Sequence, residues 1–188
     1  MSKRFLAVIM VLSAFFFVAV FSGPASADSM KAKKKRAESY AREIIDLRSR
    51  LARTFIKPGM EITPETFKQV CGAVGKRIKE IEKKEGFTIT HAAVRYRNPK
   101  NAATPFEARL MSRFTHSKDF KKFWDITFEG DKTYRRLIMP VFVEKACLAC
   151  HGPKDKRPKF IVEKYHDDRA YDFNVGDLRG IISIRVEE

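Results

Sequence analysis

The sequence has 188 residues and a formal net charge of +15. That length suits one domain with its own hydrophobic core, and nothing in the sequence calls for a second domain. A charge this positive would suggest nucleic acid as the partner of a cytosolic protein, but an export signal at the N-terminus excludes that partner. The remaining candidates are an acidic protein and an anionic membrane surface.

Residues 1–27 have the layout of a secretory signal peptide. Lys3 and Arg4 precede an apolar stretch over residues 5–21, and an Ala-x-Ala run ends the segment at a typical cleavage site. Cleavage there leaves a mature domain of residues 28–188, and the loss of the two cations lowers the net charge from +15 to +13. An uncleaved anchor is the alternative, because the apolar stretch is nearly long enough to cross a bilayer. Either way, the sequence predicts a periplasmic protein.

Two amphipathic helices are predicted after a basic, solvated arm at residues 31–36. The first helix carries apolar residues at steps of three and four over residues 40–55. The second begins with Thr63 as its N-cap and ends at Gly86. Its apolar face contains Cys71, which is therefore expected to point into the core.

The apolar pattern beyond Gly86 changes to the alternation that is typical of β-strands. The predicted elements are a strand (residues 87–96), a loop (97–101), a short helix (105–114), the two strands of a hairpin (123–128 and 134–143), a turn-rich loop (152–176) and a last strand (180–186). Pro140 indicates that the second hairpin strand is bent, or exposed at an edge, near its end. The sequence therefore predicts an α+β fold with about four strands, most of them antiparallel.

Cys147, Cys150 and His151 form C-x-x-C-H, the attachment motif of c-type haem. The two cysteines can each form a thioether with one haem vinyl group, and the adjacent histidine then binds the iron. The alternatives are a zinc site, which usually takes four ligands, and a redox-active cysteine pair, which belongs in a βαβ context that this sequence lacks. Bacteria attach haem c after export, so the motif and the signal peptide agree. We therefore expect one covalently attached haem c.

An iron atom held by His151 has a second axial position to fill. Cys71 is the first candidate, because a leftover cysteine is unusual in an exported protein, where it could cross-link to another thiol. A buried cysteine that acts only as a small hydrophobe is the alternative. The remaining candidates are a methionine, an open site and one of three histidines, namely His91, His116 and His166.

Several groups of residues occur in a recognisable order along the mature chain. They are Val70-Cys71, Arg97-Asn98-Pro99-x-Asn101 with Pro105 and Glu107, Tyr134 with Pro140, Cys147-Leu148-x-Cys150-His151-Gly152, and Gly176-Asp177-x-Arg179-Gly180. In this order they resemble a family of exported mono-haem domains with a PAS-like fold. Members of that family are found alone in the periplasm and as sensor modules of membrane histidine kinases. The resemblance covers nearly all of the mature chain.

The resemblance implies a PAS-like central antiparallel sheet of four to five strands with the haem on one side. It also implies that His151 is the proximal ligand and Cys71 the distal ligand, and that Arg97 and Asn98 belong to the cofactor-binding residues. The chain departs from the family where His166 stands in place of a proline. This departure lets His166 approach the haem edge.

Two functions are consistent with these features. Electron transfer or redox sensing at low potential is favoured, because a thiolate ligand stabilises ferric iron and blocks an incoming gas. A haem-based gas or ligand sensor with a displaceable sixth ligand is the alternative. The sequence has no paired acid and base beside the motif, so we do not expect an enzyme. The expected partner is a redox or signalling protein.

Overall fold

The computed structural model of the protein describes residues 24–117 and 120–188. The apolar stretch of the signal peptide lies outside the described residues, so its cleavage stays a prediction. Within the described part of the chain, no helix is both long enough and apolar enough to span a membrane.

Helix α1 (Pro24–Phe55) is much longer than the sequence indicated. The basic run at residues 31–36 belongs to this helix and is not a separate arm, but four of its six residues are exposed, in agreement with its prediction as solvated. Lysine, arginine and alanine are all good helix formers, and tertiary contacts hold the run in place. Arg36 pairs with Glu85 at 2.8 Å, and the Lys34 ammonium lies 4.7 Å from the centre of the Trp124 ring.

The buried face of α1 is rotated from the predicted one. Its fully buried residues are small or β-branched, namely Ala37, Ala41, Ile44 and Ala52. The larger apolar residues, Tyr40, Leu47 and Leu51, are half-buried and flank this row. The three alanines let α1 pack closely on the sheet, and Arg48 occupies the same face one helical turn after Ile44.

The second predicted helix is present between the expected caps. The Thr63 hydroxyl accepts a hydrogen bond from the Thr66 amide at 3.2 Å, and Gly86 ends the helix with a φ of 69°. Three segments follow one another between these caps: α2 (Pro64–Phe67), a π-helical segment (Lys68–Gly72) and α3 (Ala73–Glu85).

The π-helical segment changes the direction of Cys71. A π turn contains an extra residue, so it shifts the side chains that follow relative to an α-helical face. Val70 is buried, whereas Cys71 is exposed. The prediction that Cys71 points into the core was therefore wrong.

Four strands form one antiparallel sheet in the order β1-β4-β3-β2. They are β1 (Thr88–Ala92), β2 (Phe123–Glu129), β3 (Lys132–Phe142) and β4 (Leu178–Glu187). The predicted α+β fold and the predicted hairpin are confirmed. The first strand is shorter than expected, because the chain bends away after Ala93 bridges Ala102.

Pro140 lies at a local edge, as the sequence indicated. Strand β3 runs between β2 and β4, but its pairing with β2 ends at Ile138. Pro140 still faces Ile181 of β4, and the register shifts between Val141 and Phe142. This irregular end of β3 leads directly into the C-x-x-C-H motif.

The remaining helices are short. They are α4 (Pro105–His116), α5 (Leu148–His151) and α6 (Lys159–Lys164), with 3-10 turns at Pro99–Asn101, Lys145–Cys147 and Lys154–Lys156.

One hydrophobic core lies between α1, α3 and the sheet, and a second lies under α4. A third, small core contains Val143, Ala170 and Phe173, with Cys147 and Leu148 packed against it. This third core positions the motif.

Candidate functional site

Hydrogen bonds of Glu144 link the start of the C-x-x-C-H motif to α1. The Glu144 amide donates to the Cys147 sulfur at 3.4 Å. Its carboxylate accepts hydrogen bonds from the Ser49 hydroxyl at 2.5 Å and from Arg53 at 2.9 Å. The start of the motif is thus tied to two successive turns of the long helix.

His151 is held in one orientation and one tautomer. Its Nδ1–H donates to the carbonyl oxygen of Ala170 at 2.7 Å, which leaves the lone pair on Nε2. Burial, followed by the nearby Arg179 and Arg97 guanidinium groups, lowers the pKa of His151 well below its ordinary value. The ring is therefore neutral, and a neutral imidazole with an available Nε2 is the form that binds a metal.

The end of α5 is fixed by the segment that follows Ala170. The Phe173 amide donates to the carbonyl of His151 at 3.0 Å, and the Asp172 amide donates to the carbonyl of Gly152 at 2.7 Å. A β-carbon at Gly152 would lie only 2.6 Å from the Leu148 carbonyl oxygen. Glycine is therefore required directly after the histidine of the motif.

Arg97 holds the motif from behind. Its guanidinium donates to the carbonyl of Cys150 at 2.5 Å and lies 3.4 Å from the buried Asp168 carboxylate. Asp168 also pairs with Arg157 at 2.9 Å and accepts from the Ala170 amide at 2.9 Å. Arg97 thus positions Cys150 and, through Asp168, the acceptor of His151.

Asn98 is the other loop residue that was predicted to bind the cofactor, and in the structure its side chain caps a turn of its own loop. Its side-chain oxygen accepts from the Lys100 amide at 3.1 Å and caps the 3-10 turn that begins at Pro99. Neither Arg97 nor Asn98 is among the described residues that line the cavity beside the motif.

That cavity brings the sequence-predicted ligands together. It encloses about 60 Å³ between α1, the π-helical segment, the end of β3 and the motif. Cys71, Cys147, Cys150 and His151 all line it. Residues separated by 80 positions in the chain therefore share one small space.

The two motif cysteines are thiols rather than thiolates. Burial raises the pKa of Cys147, and burial raises the pKa of Cys150 to about 11. A thioether to a vinyl group forms by addition of sulfur and hydrogen across the double bond. The donor set thus consists of two neutral thiols, one neutral imidazole and the more exposed thiol of Cys71.

The other candidate ligands lie elsewhere. The His91 ring lies behind the cavity with its Nδ1 3.3 Å from Arg48 Nη2, and burial lowers its pKa well below the ordinary value. His116 is exposed and bonds the Ser112 carbonyl, and His166 is exposed in a turn. His166 does not line the cavity. Across residues 29–117 and 120–188, no group of three or more His, Cys, Asp or Glu side chains is arranged to hold a metal ion.

Two cavity residues, Arg48 and Arg179, were not predicted as site residues from the sequence. Burial lowers the pKa of both, and Arg48 and Arg97 add to the effect on Arg179, whose pKa falls to about 9. The sequence held no signal for Arg48, because the row of buried residues that it interrupts is known only from the structure. The Arg179 Nε lies 3.5 Å from His151 Nε2, next to the lone pair of the imidazole.

A model of the family described as Tll0287-like matches residues 26–187. The chain belongs to the Tll0287-like family. The match spans every strand, the π-helical segment and the whole motif of this chain. The family membership predicted from the sequence is confirmed.

A solved structure supports the Tll0287-like assignment. The chain is similar to the crystal structure of the cyanobacterial heme-protein Tll0287, with 34% sequence identity and a TM-score of 0.68. The alignment covers 89% of this chain and 98% of that chain. No match was found among curated proteins.

Proposed function

We propose that the protein is a periplasmic c-type cytochrome with one covalently attached haem. The observation that carries the proposal is the shared cavity of Cys71, Cys147, Cys150 and His151. Its donor set and largely apolar wall suit the chemistry of an iron porphyrin, and the cavity of about 60 Å³ would have to widen to admit the ring. The similar solved structure is that of a heme-protein, which supports the same cofactor. When bound, haem supplies a one-electron ferric/ferrous couple.

Each residue has a defined part in this proposal. Cys147 and Cys150 would form the two thioethers, His151 Nε2 would bind the iron as the proximal ligand, and the Cys71 thiolate would bind it as the distal ligand. The hydrogen bond from His151 to Ala170 orients the ring and raises its basicity as a ligand. A thiolate on the other side stabilises ferric iron, so the expected reduction potential is low.

A basic groove beside the motif favours electron transfer. It has a volume of about 980 Å³, and its floor includes Ala146 and Ala149 of the motif region. Its charged rim carries five cations, Arg53, Lys57, Lys145, Lys156 and Lys159, and two acids, Glu61 and Glu163. Opposite charge steers association and selects partners, so the proposed partner is an acidic redox protein that docks at this groove.

Redox sensing is the second candidate, because α1 contacts the site directly. Arg48 lines the cavity, and Ser49 and Arg53 bond Glu144 at the start of the motif. A change of charge at the iron would alter these contacts and shift the population of α1 conformations. A carrier needs no such response.

A redox titration of the mature holoprotein under carbon monoxide tests the proposal. We expect a reversible one-electron couple at low potential and no carbon monoxide binding by the reduced protein. Ready binding would instead support the gas sensor. Hydrogen exchange then separates the other two functions, since a sensor changes the protection of α1 amides between the two redox states and a carrier does not.

A further inference from the structure

Arg48 and Arg179 face the same cavity from opposite elements of the fold. Arg48 comes from α1 and Arg179 from β4, and both line the space beside His151. Among the described residues that line this cavity, none carries a carboxylate. The rest of the wall is mainly apolar, with Ala52, Val70 and Val141 as examples.

The charge of these two arginines has no matching anion in the described structure. The Arg48 Nε is buried and has no hydrogen-bond partner there, and its Nη2 contacts His91 at 3.3 Å. Arg179 donates to the carbonyl of Arg95 at 3.0 Å, which is a neutral acceptor. Buried charges without a partner cost free energy, so a site of this kind favours an anionic ligand.

Arg97 differs from these two arginines because it has a carboxylate partner. It lies 3.4 Å from the Asp168 carboxylate and donates to the carbonyl of Cys150. It shares this carboxylate with Arg157, and it is not part of the cavity lining. Arg48 and Arg179 form no ion pair with a carboxylate in the described structure, and both line the cavity.

The position of Arg179 requires a rearrangement when iron binds. Its Nε lies 3.5 Å from His151 Nε2 and points at the lone pair of the imidazole. The same lone pair cannot accept a hydrogen bond and coordinate iron, so an iron bound by His151 would displace the Arg179 guanidinium. The displaced Arg179 guanidinium would lie beside the apolar porphyrin ring, where it can bind a carboxylate on the edge of that ring.

We propose that Arg48 and Arg179 bind the two propionate carboxylates of the haem. The inference rests on the proposed function and deepens it, because it names the residues that bind the carboxylate-bearing edge of the haem. An apolar cavity with two cations is complementary to an apolar ring with two carboxylates. Arginine suits the part, since its fork of N–H groups matches a carboxylate.

Resonance Raman spectroscopy of the mature holoprotein tests the assignment, because the propionate-bending band responds to hydrogen bonds at the carboxylates. We expect Arg48→Gln and Arg179→Gln each to shift this band, and Arg48→Lys to restore part of the shift. Arg50→Gln is the matched control, since Arg50 is exposed on the same helix. Bands identical to wild type in both glutamine variants would overturn the proposal.

The wild-type holoprotein provides a measurement that needs no substitution. Carboxylates paired with two arginines stay ionised below the ordinary carboxylic acid pKa of about 4.3. The propionate band should therefore titrate only below about pH 4.3, and a midpoint at or above that value would contradict the pairing. A colourless protein would refute the haem itself, whereas a coloured protein with unshifted bands would refute only the role of the arginines.

Discussion

His151 donates its Nδ1–H to the carbonyl oxygen of Ala170 at 2.7 Å, across 19 positions of the chain. The position of Ala170 depends in turn on the buried Asp168, which accepts from the Ala170 amide and faces Arg97. The orientation of the proposed iron ligand is thus set by a carboxylate that does not touch it.

Asp168→Asn should lower the free energy of unfolding of the holoprotein by about 3 kcal/mol, because it leaves the buried Arg97 without its counter-charge. The amide keeps an acceptor for Ala170, so the fold itself should persist. Guanidinium denaturation measures the change. Asp167→Asn, at the exposed neighbouring position, is the control and should have the stability of wild type. Equal stability of all three proteins would show that the Arg97 pair is unimportant.

Cys71→Ala should remove the thiolate from the distal side of the iron. The expected results are an altered absorption spectrum, a higher midpoint potential and carbon monoxide binding by the reduced variant. Gln69→Ala, an exposed change in the same π-helical segment, should leave all three properties unchanged. A Cys71→Ala spectrum identical to that of wild type would end the proposal that this cysteine is a ligand.

His91 should make the holoprotein less stable at acidic pH. Burial and the nearby Arg48 and Arg179 hold the pKa of His91 well below its ordinary value, so the folded ring stays neutral. The unfolded ring takes up a proton below about pH 6.5, and stability falls from there towards the folded pKa by up to about 1.4 kcal/mol per pH unit.

Denaturation curves at about pH 7, 6 and 5 test this dependence, because these pH values span the ordinary histidine pKa. His91→Gln keeps an acceptor for Arg48 and should have the shallower pH dependence. His116→Gln, which removes an exposed ring, should retain the slope of wild type. Equal slopes for wild type and His91→Gln would contradict the prediction.

Charge reversal at the basic groove should slow reduction by an acidic redox protein. Lys145→Glu combined with Lys156→Glu is expected to lower the second-order rate constant with reduced flavodoxin by about tenfold at low ionic strength, and less in high salt. Stopped-flow absorbance measures the rate. Lys79→Glu combined with Lys83→Glu changes the net charge equally on the exposed side of α3. If both double variants are slowed equally, the groove is not the docking site.

The sequence predicted those parts of the fold that depend on local chemistry. Thr63 and Gly86 marked the ends of the second helix, and the hairpin followed from two apolar runs around a turn. The π-helical segment was not predictable, because an extra residue in a helical turn leaves the apolar pattern almost unchanged. The direction of Cys71 was wrong for that reason.

The site was predictable where it forms a contiguous motif. Cys147, Cys150 and His151 were evident from their spacing, whereas Cys71 was the first of several candidate ligands until the family resemblance implied it as the distal one. Arg48 was missed because a cation on an amphipathic helix normally belongs to the solvated face. Its burial depends on how α1 packs against the sheet, which only the tertiary structure reveals.

The most direct test of the central claim is the intact mass and pyridine haemochrome spectrum of protein exported from a host that matures c-type cytochromes. A chain that begins at Asp28, weighs one haem more than its polypeptide and keeps a c-type spectrum after denaturation is the predicted result. A protein without colour, with the mass of the polypeptide alone, would contradict the claim that Cys147 and Cys150 carry a haem.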